Sequence, residues 1–519
     1  MASQIISRLP VLLVEGMESL ILSHYSLTKQ FLNTIDPDLL EEISKRKALN
    51  IFTTAASETP AYAKFLRRNR VKPERIRTIA DFESLVPATD KVNYVKQFPF
   101  EERCRGGHLP TRGNVDESGG TSGIPTNWIH DFSEESLLFK AVNFEFNYVF
   151  GGQKKDYFVL SAWSSGPWAT GVKFCELMER VALVKNTTTD PLDIINTLKM
   201  FGNKRNYLIG GYPPFVRNLL YDYDDQISWK DYTIDIITGG EGVTLEWVYH
   251  LRKKLQKKAK IVSSYGASDI DIGIGFESPL AFFIRETIAR NPALKQELFP
   301  HNDLPMIFQY NPTTHYITEK KNAEGCPEFE ITLLDKHSAL PKVKYNLHDA
   351  GRKLSFKEMI RAIEKHRPHF WPEFKSKAQG KEEDILHLPF LCVFGRSDGT
   401  LSFDGANVHP SDIQECTELH PELQRKINRF KMEKDFDRQH NPLFIIHIEL
   451  KKNCRGEKRL GQKYEQVLRK ELPKVNRDFK ESVSKNPKLA PRVKLYAFEH
   501  PLFRKDDTKV KNIYIVKKQ

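Results

Sequence analysis

The chain has 519 residues, 40% of them hydrophobic and 28% charged, with a formal charge of +12. That length exceeds one ordinary core, so one large domain of several subdomains plus at least one separate domain is expected. Cys104, Cys175, Cys326, Cys392, Cys416 and Cys454 lie far apart, with no CxxC pair and no zinc-type His/Cys spacing, which argues against a disulfide framework or structural metal and for a reducing, cytoplasmic compartment.

In chain order, the N-terminal stretch IISRLPVLLVEGMESLILSHY has its apolar run broken by Glu15 and Glu18, which a signal peptide or membrane span does not tolerate well. An amphipathic helix packed on the protein's own core is expected, with membrane-surface attachment as the rarer alternative. Residues 1–55 are read as a helical lead-in. Residues 59–91, TPAYAKFLRRNRVKPERIRTIADFESLVPATDK, form a helical, aromatic stretch.

The segment ESGGTSGIPTNW, residues 117–128, follows. Its glycines lack Cβ atoms, so the backbone can turn sharply and present N–H groups to an anion. Thr121, Ser122 and Thr126 add hydroxyl donors. A flexible Gly/Ser turn is the bland alternative. The loop is not a Walker A motif, since Ile124 stands where a lysine would be sought, and it is not a G-x-S-x-G elbow.

From residue 130 onward, strand-like runs alternate with helical patterns. DYFVLSAW (156–163), YLIGG (207–211), IDIITGG (234–240) and AKIVSSYG (259–266) read as strands that end in small residues. PLDIINTLKMFGN, PFVRNLLYDYDD and LEWVYHLRKKLQKKA read as the helices between them. The alternation is that of a parallel α/β sheet, whose ligands bind beyond the carboxyl ends of the strands. The polar segment 353–390 reads as an inserted helix and loop.

After residue 395 the pattern changes. FIIHIEL (444–450) and VKLYAFE (493–499) bracket the helical stretch KYEQVLRKELPKVNRDFKESV, which describes a small α+β domain with its own sheet. Residues 396–519 hold 28 Lys and Arg against 18 Asp and Glu, so +10 of the +12 lies there. Such a module suits a polyanion or an acidic partner, or is simply a solvated lysine-rich surface. The expected domains are therefore 1–395 and 396–519.

Read in order, GGTSGIPT, GGEGVTL (239–245), SSYGASD (263–269), KYNLHDAGR (344–352) and FGRSDGTLSFDGANVHPSDIQE (394–415) resemble the motifs of the adenylate-forming superfamily. That superfamily comprises acyl-CoA synthetases, luciferases and peptide-synthetase adenylation domains. The phenylacetate-CoA ligase-like branch is the most similar, on the LVPATDK-type lead-in. The resemblance runs from about residue 55 to the C-terminus. It implies an α/β fold in which a large N-terminal AMP-binding and acyl-pocket domain, with α/β subdomains around mostly parallel sheets, carries a small mobile α+β C-terminal domain.

The resemblance implies roles residue by residue. Ser118, Gly119, Gly120, Thr121, Ser122, Gly123 and Thr126 would cover the outer phosphates of ATP, and Gly240, Glu241, Gly242, Ser264 and Gly266 would shape the nucleotide site. Tyr265 would lie against adenine, Ser268 would donate to the α-phosphate, Asp349 would accept from the ribose hydroxyls, and Arg396 would contact the nucleotide. Asp269 would ligate Mg²⁺ where the family usually has glutamate. Asp398 would be the hinge, with Gly405 and Asn407 along the path of the incoming thiol. Lys509 matches the family's terminal catalytic lysine, although Thr508 replaces the expected glycine and Lys505 and Lys511 compete for the role. Trp163, Trp168, Tyr212 and Gly239 are the acyl-pocket candidates, and their aromatic character favours an aryl or other apolar acid.

The implied function is ATP- and Mg²⁺-dependent activation of a small carboxylic acid to an acyl adenylate, followed by transfer to a thiol. Coenzyme A is favoured over the phosphopantetheine of an acidic carrier protein. An amine or hydroxyl acceptor, or a non-catalytic nucleotide-binding protein, are the rival readings, kept open by Ile124, Asp269 and the unsettled terminal lysine. A nucleic-acid partner is disfavoured, because the basic domain lacks interleaved aromatic and cationic surface.

Overall fold

The computed structural model describes residues 11–118, 126–166, 169–300, 304–323, 325–377, 384–452, 454 and 456–503. β1 (Gly113–Ser118) and β2 (Thr126–Asp131) form a two-stranded sheet. A long sheet follows, built from β3 (Tyr157–Ala162), β4 (Leu183–Asn186), β5 (Asn206–Gly211), β6 (Thr233–Thr238), β7 (Ile261–Ala267) and β8 (Asp271–Phe276), then β9 (Met306–Gln309), β10 (His315–Lys321), β11 (Pro327–Leu333), β12 (Tyr345–Leu354) and β13 (Phe390–Arg396). Its eleven strands run in the order β10-β11-β12-β13-β9-β8-β7-β6-β5-β3-β4.

One half of this sheet is parallel: β4, β3, β5, β6 and β7 pair in the same direction. Helices Ala169–Met178, Pro191–Phe201, Pro213–Asp222 and Leu245–Arg252 are the crossovers between successive strands. Every residue of β3 and all but the first of β5 are buried, as strands covered on both faces must be. That is why these strands read from sequence as continuous apolar runs. Beyond β7 the pairs β7–β8, β8–β9, β9–β13, β10–β11 and β11–β12 are antiparallel. The whole sheet is therefore mixed, and its antiparallel half holds segments such as HYITEKK in β10, buried at its start and exposed at its end, whose lack of alternation gives no clear strand signal.

The described residues divide into two compact units: those of Met1–Asp116, Asn127–Gly211 and Gln226–Gly395, and those of Glu117–Thr126, Tyr212–Asp225 and Arg396–Gln519. In the first unit, helices Pro37–Glu58 and Pro60–Arg68 bury Ile51, Phe52, Tyr62 and Phe65 in one core with Ile317, Phe329 and Tyr345 of the antiparallel strands. The N-terminal helix Val11–Leu22 is tied down by Glu15 to Lys336 at 2.9 Å and Glu18 to Lys47 at 2.6 Å. The two acids that interrupt its apolar run thus sit three residues apart on one face and anchor it. Among the described residues no helix is long and apolar enough to cross a membrane.

Segment 353–390 supplies helices Phe356–His366 and Phe370–Lys377, which bury Met359, Ile363, Phe370 and Phe374 in a second core. Spacing of four residues puts each helix's pair on one face, so the segment is structural core as well as connection. In the second unit, β16 (Ile427–Phe436), β17 (Pro442–Leu450) and β18 (Arg492–Tyr496) form a three-stranded sheet, preceded by the hairpin of β14 (Leu401–Phe403) and β15 (Ala406–Val408). The long helical stretch expected here splits into Lys458–Val475 and Arg477–Lys485. Asn476 makes the break, its side chain capping the second helix at Phe479 N at 2.9 Å.

Candidate functional site

In the first unit the site is built where side chains of β7 and β12, which are not neighbours in the sheet, reach each other. The Tyr265 hydroxyl donates to Asp349 Oδ2 at 2.6 Å, across 84 residues of sequence. The Tyr265 ring stacks on Phe308 with centroids 5.6 Å apart. Just after Tyr265, β7 and β8 shift register between Tyr265 and Ala267. Gly266 permits that irregularity, since a Cβ there would collide with the backbone of Ile272. Ser264 pairs with Phe276 at the regular end of the same strand, and Ser268 is half-buried in the turn that follows.

Asp269 closes that turn. It is 7% exposed, and both its oxygens are engaged: Lys91 Nζ lies 3.1 Å from Oδ1, and the Tyr345 hydroxyl donates to Oδ2 at 3.0 Å. One element holds both partners. Thr89 bridges in parallel to Tyr345, its N–H donating to the Lys344 carbonyl at 3.0 Å and its carbonyl accepting from Asn346 N at 2.8 Å. Asp90 then turns the chain by accepting from Val92 N and Asn93 N. Lys91 therefore arrives at Asp269 by register, and Tyr345 reaches it from the adjoining residue. Lys91 stands in the LVPATDK stretch and Tyr345 in KYNLHDAGR, but neither was singled out from sequence, because nothing local says which carboxylate each would meet.

Magnesium needs hard oxygens at about 2.1 Å in octahedral array. The residues present do not fit it: the Asp269 carboxylate is already held by an ammonium and a phenol. The buried Lys342, its ammonium 4.5 Å from the centroid of the Trp128 ring, adds a further cation whose charge interacts with Asp269. Burial lowers the Lys342 pKa, partly offset by Glu134 and Asp269.

At the carboxyl ends of β3, β5 and β6 the expected pocket residues Trp163 and Gly239 come together. A Cβ at Gly239 would lie 3.6 Å from the Trp163 ring and 3.3 Å from the Ser264 carbonyl oxygen. At Gly210 a Cβ would approach Trp163 Nε1 to 2.9 Å and Phe174 to 3.0 Å. Trp163, 3% exposed, thus fills the volume that these glycines leave, with Phe174 edge-on to it. Gly240 has φ of 82°, Glu241 is half-buried, and a Cβ at Gly242 would lie 3.2 Å from Met306.

The second unit holds the remaining expected residues that the structure describes. Ser118 is buried at the end of β1 and Thr126 half-buried at the start of β2. Tyr212 lies against Gly405: that glycine has φ of 85°, and a Cβ on it would stand 2.6 Å from the Tyr212 ring. Asn407 accepts from the Ser402 hydroxyl at 2.5 Å. Arg396 Nη2 binds Asp398 Oδ2 at 2.6 Å, and Thr400 N donates to Oδ1 at 3.0 Å. Burial alone would raise the Asp398 carboxyl, but Arg396 and Thr400 outweigh it and hold the pKa at about 2. Gly119, Gly120, Thr121, Ser122, Gly123, Trp168 and Lys509, with its competitors Lys505 and Lys511, lie outside the described residues.

No family model matches the sequence, and no curated protein matches it. The fold does match solved structures. 2-Hydroxyisobutyryl-CoA ligase in complex with 2-HIB-AMP and CoA, in the thioesterification state, superposes with a TM-score of 0.62 at 13% identity, covering 92% of this chain and 90% of that one. An open conformation of that ligase with 2-HIB-AMP and CoA gives 0.52 at 12% identity, covering 93% of each chain. Its postadenylation state with R3-HIB-AMP gives 0.51 at 11% identity, covering 92% and 90%. Over nine tenths of its length, this chain has the fold of 2-hydroxyisobutyryl-CoA ligase.

Proposed function

We propose that the chain is an ATP-dependent acid ligase that converts a carboxylic acid to an acyl adenylate and passes the acyl group to a thiol, with CoA favoured. The observation that carries this reading is the meeting of Tyr265 and Asp349 at 2.6 Å. These are the two side chains that the motif resemblance assigns to adenine and ribose, and they lie far apart in sequence. Phe308 backs one face of the Tyr265 ring, so the base would take the opposite face. Asp349, already oriented by the phenol, would accept from the ribose hydroxyls, a charge-assisted contact that fixes the α-phosphate relative to the acid.

The chemistry has two balanced steps. A carboxylate oxygen attacks the α-phosphorus and pyrophosphate leaves; a thiolate then attacks the acyl carbonyl and AMP leaves. Trp163, Trp168, Tyr212 and Gly239 are assigned to the pocket of the acid, and Phe174, edge-on to Trp163, would extend its apolar wall. Ser268 and the glycine loop 118–126 are assigned to phosphate contacts, and Lys509 to the bridge between carboxylate and α-phosphate. Gly405 and Asn407 are assigned to the path of the thiol, Arg396 to the nucleotide and Asp398 to the hinge. A carrier-protein phosphopantetheine is the runner-up acceptor, to which the charge of residues 396–519 is suited.

The test is carboxylate-dependent exchange of labelled pyrophosphate into ATP across aryl acids, fatty acids, amino acids and short branched 2-hydroxy acids, the last being the class named for the solved neighbour. At least one acid should support exchange, and Lys509→Ala should abolish it while leaving thioester formation from supplied adenylate. If ATP binds and no acid supports exchange, the catalytic reading gives way to a nucleotide-binding one.

A further inference from the structure

The Lys91–Asp269 pair stands where the motif resemblance calls for a divalent cation, and the residues there do not build a magnesium site. The accessibility of the two partners is unequal. The Lys91 side chain is 32% exposed and that of Asp269 only 10%, so a ligand arriving from solvent meets the ammonium before the carboxylate. Asp269 holds the Lys91 ammonium at 3.1 Å, and the Thr89 bridge and the Asp90 turn fix the backbone that presents it. The glycine loop, the usual source of a phosphate-binding cation, carries no lysine. The position next to Asp269 is Ser268, the residue assigned to the α-phosphate.

We propose that Lys91 is the resident cation of the phosphate site: its ammonium, held by Asp269, contacts the phosphates of ATP and does the work that a carboxylate-bound metal ion would otherwise do. This rests on the nucleotide-binding reading given above. It assigns a binding role to a residue that motif comparison passes over, and it removes Asp269 from the metal ligands. The ammonium stays paired throughout. When ATP enters, Lys91 shares its donors between Asp269 and phosphate oxygens, as a lysine with three rotatable N–H bonds can.

Calorimetric titration of the full chain with ATP in EDTA, with ATP plus magnesium chloride, and with AMP tests it. The wild type should bind metal-free ATP within about threefold of the magnesium complex, since the protein itself carries the compensating charge. Lys91→Met should weaken metal-free ATP by about tenfold or more and AMP by less than about twofold, and Lys91→Arg should restore most of the loss. Asp269→Asn, which removes the carboxylate charge with little change of shape, should change the ratio between the two forms of ATP by less than about twofold. Thermal melts establish that each variant is folded. The inference is overturned if the wild type requires magnesium to bind ATP, if Lys91→Met binds ATP as the wild type does, or if Asp269→Asn selectively loses the magnesium complex. In those cases AMP still binds and the nucleotide reading stands. Binding of neither ATP nor AMP by the wild type overturns both.

Discussion

Trp163 is the residue on which acid size should turn. Its indole occupies the space over Gly210 and Gly239, so Trp163→Ala empties a volume where longer or bulkier acids would fit. Each methylene-sized difference in such a pocket is worth about 1–3 kcal/mol, or roughly 10–200-fold in specificity. The variant should therefore shift pyrophosphate exchange toward larger acids by at least about tenfold, while losing about 3–5 kcal/mol of stability as a truncated buried aromatic. Unchanged acid preference in a folded variant would remove Trp163 from the pocket. His315 makes a different prediction. It is 2% exposed, hydrogen-bonded from Nδ1 to the Thr314 hydroxyl at 3.0 Å, and it lines a cavity of about 30 Å³ with His130, Glu134 and Asp335. Burial, with Lys47 nearby, lowers its pKa from 6.5 to about 4. The unfolded chain thus takes up a proton first as pH falls, so stability is complete above about 6.5 and is lost between about 6.5 and 4, by up to about 3 kcal/mol. Urea unfolding at neutral pH and near pH 4.5 should reveal this slope, and His315→Gln should lessen it, the remainder coming from groups such as His130, whose pKa burial also lowers.

At the scale of elements, a buried ion pair braces the strand that carries Tyr265. Glu277, just beyond β8, accepts from Ser263 N of β7 at 3.1 Å and pairs with Arg285 of helix Pro279–Ala289 at 3.4 Å. Arg285 also donates to the Val243 carbonyl, in the stretch that continues from Gly242. Burial raises the Glu277 pKa and lowers that of Arg285, and each offsets the shift of the other. Arg285→Ala leaves a buried carboxylate uncompensated and should cost about 3–5 kcal/mol, whereas Glu277→Leu with Arg285→Leu together should recover at least part of that loss. Because the strut touches both β7 and the GGEGV turn, Arg285→Ala should also raise the KM for ATP. If denaturant titration gives less than about 1 kcal/mol for the single variant, the pair is not a structural brace.

At the scale of the whole molecule, the two units have separate apolar cores, one around Phe52, Phe82 and Tyr345 and one around Phe403, Phe444 and Tyr464. Scanning calorimetry should therefore resolve two transitions. Helix Pro213–Asp222 groups with the second unit despite its place in the chain. Its Arg217 is 2% exposed, donates to the Gln439 carbonyl at 2.8 Å, and pairs with Asp222 at 3.1 Å. Arg217→Ala removes a buried guanidinium together with its bond to Gln439, an exposed residue whose carbonyl water can then reach, and its pairing with Asp222, a loss of about 2 kcal/mol from packing and hydrogen bonds together. It should lower one transition by about 5–10 °C and leave the other in place. A single transition, or equal shifts of both, would mean that the units unfold as one.

Much of this was legible in the residues themselves. Apolar runs ending in small residues identified β3, β5, β6 and β7, clearest for β3 and β5, because a strand buried on both faces leaves no polar alternation, and the helices between them followed from their period. The ordered motifs gave the candidate nucleotide residues. What the residues did not disclose was the antiparallel half of the sheet, the core role of Met359, Ile363 and Phe374 within 353–390, and the partners of Asp269. Periodicity is a property of neighbouring residues and is written in any short window. Which carboxylate a lysine meets depends instead on strand register and on the packing of segments far apart in sequence. The sequence alone thus determined that Tyr265, Asp269 and Asp349 were candidates. Only the tertiary structure decided that Tyr265 holds Asp349 and that Lys91, delivered by a single bridge at Thr89, sits on Asp269.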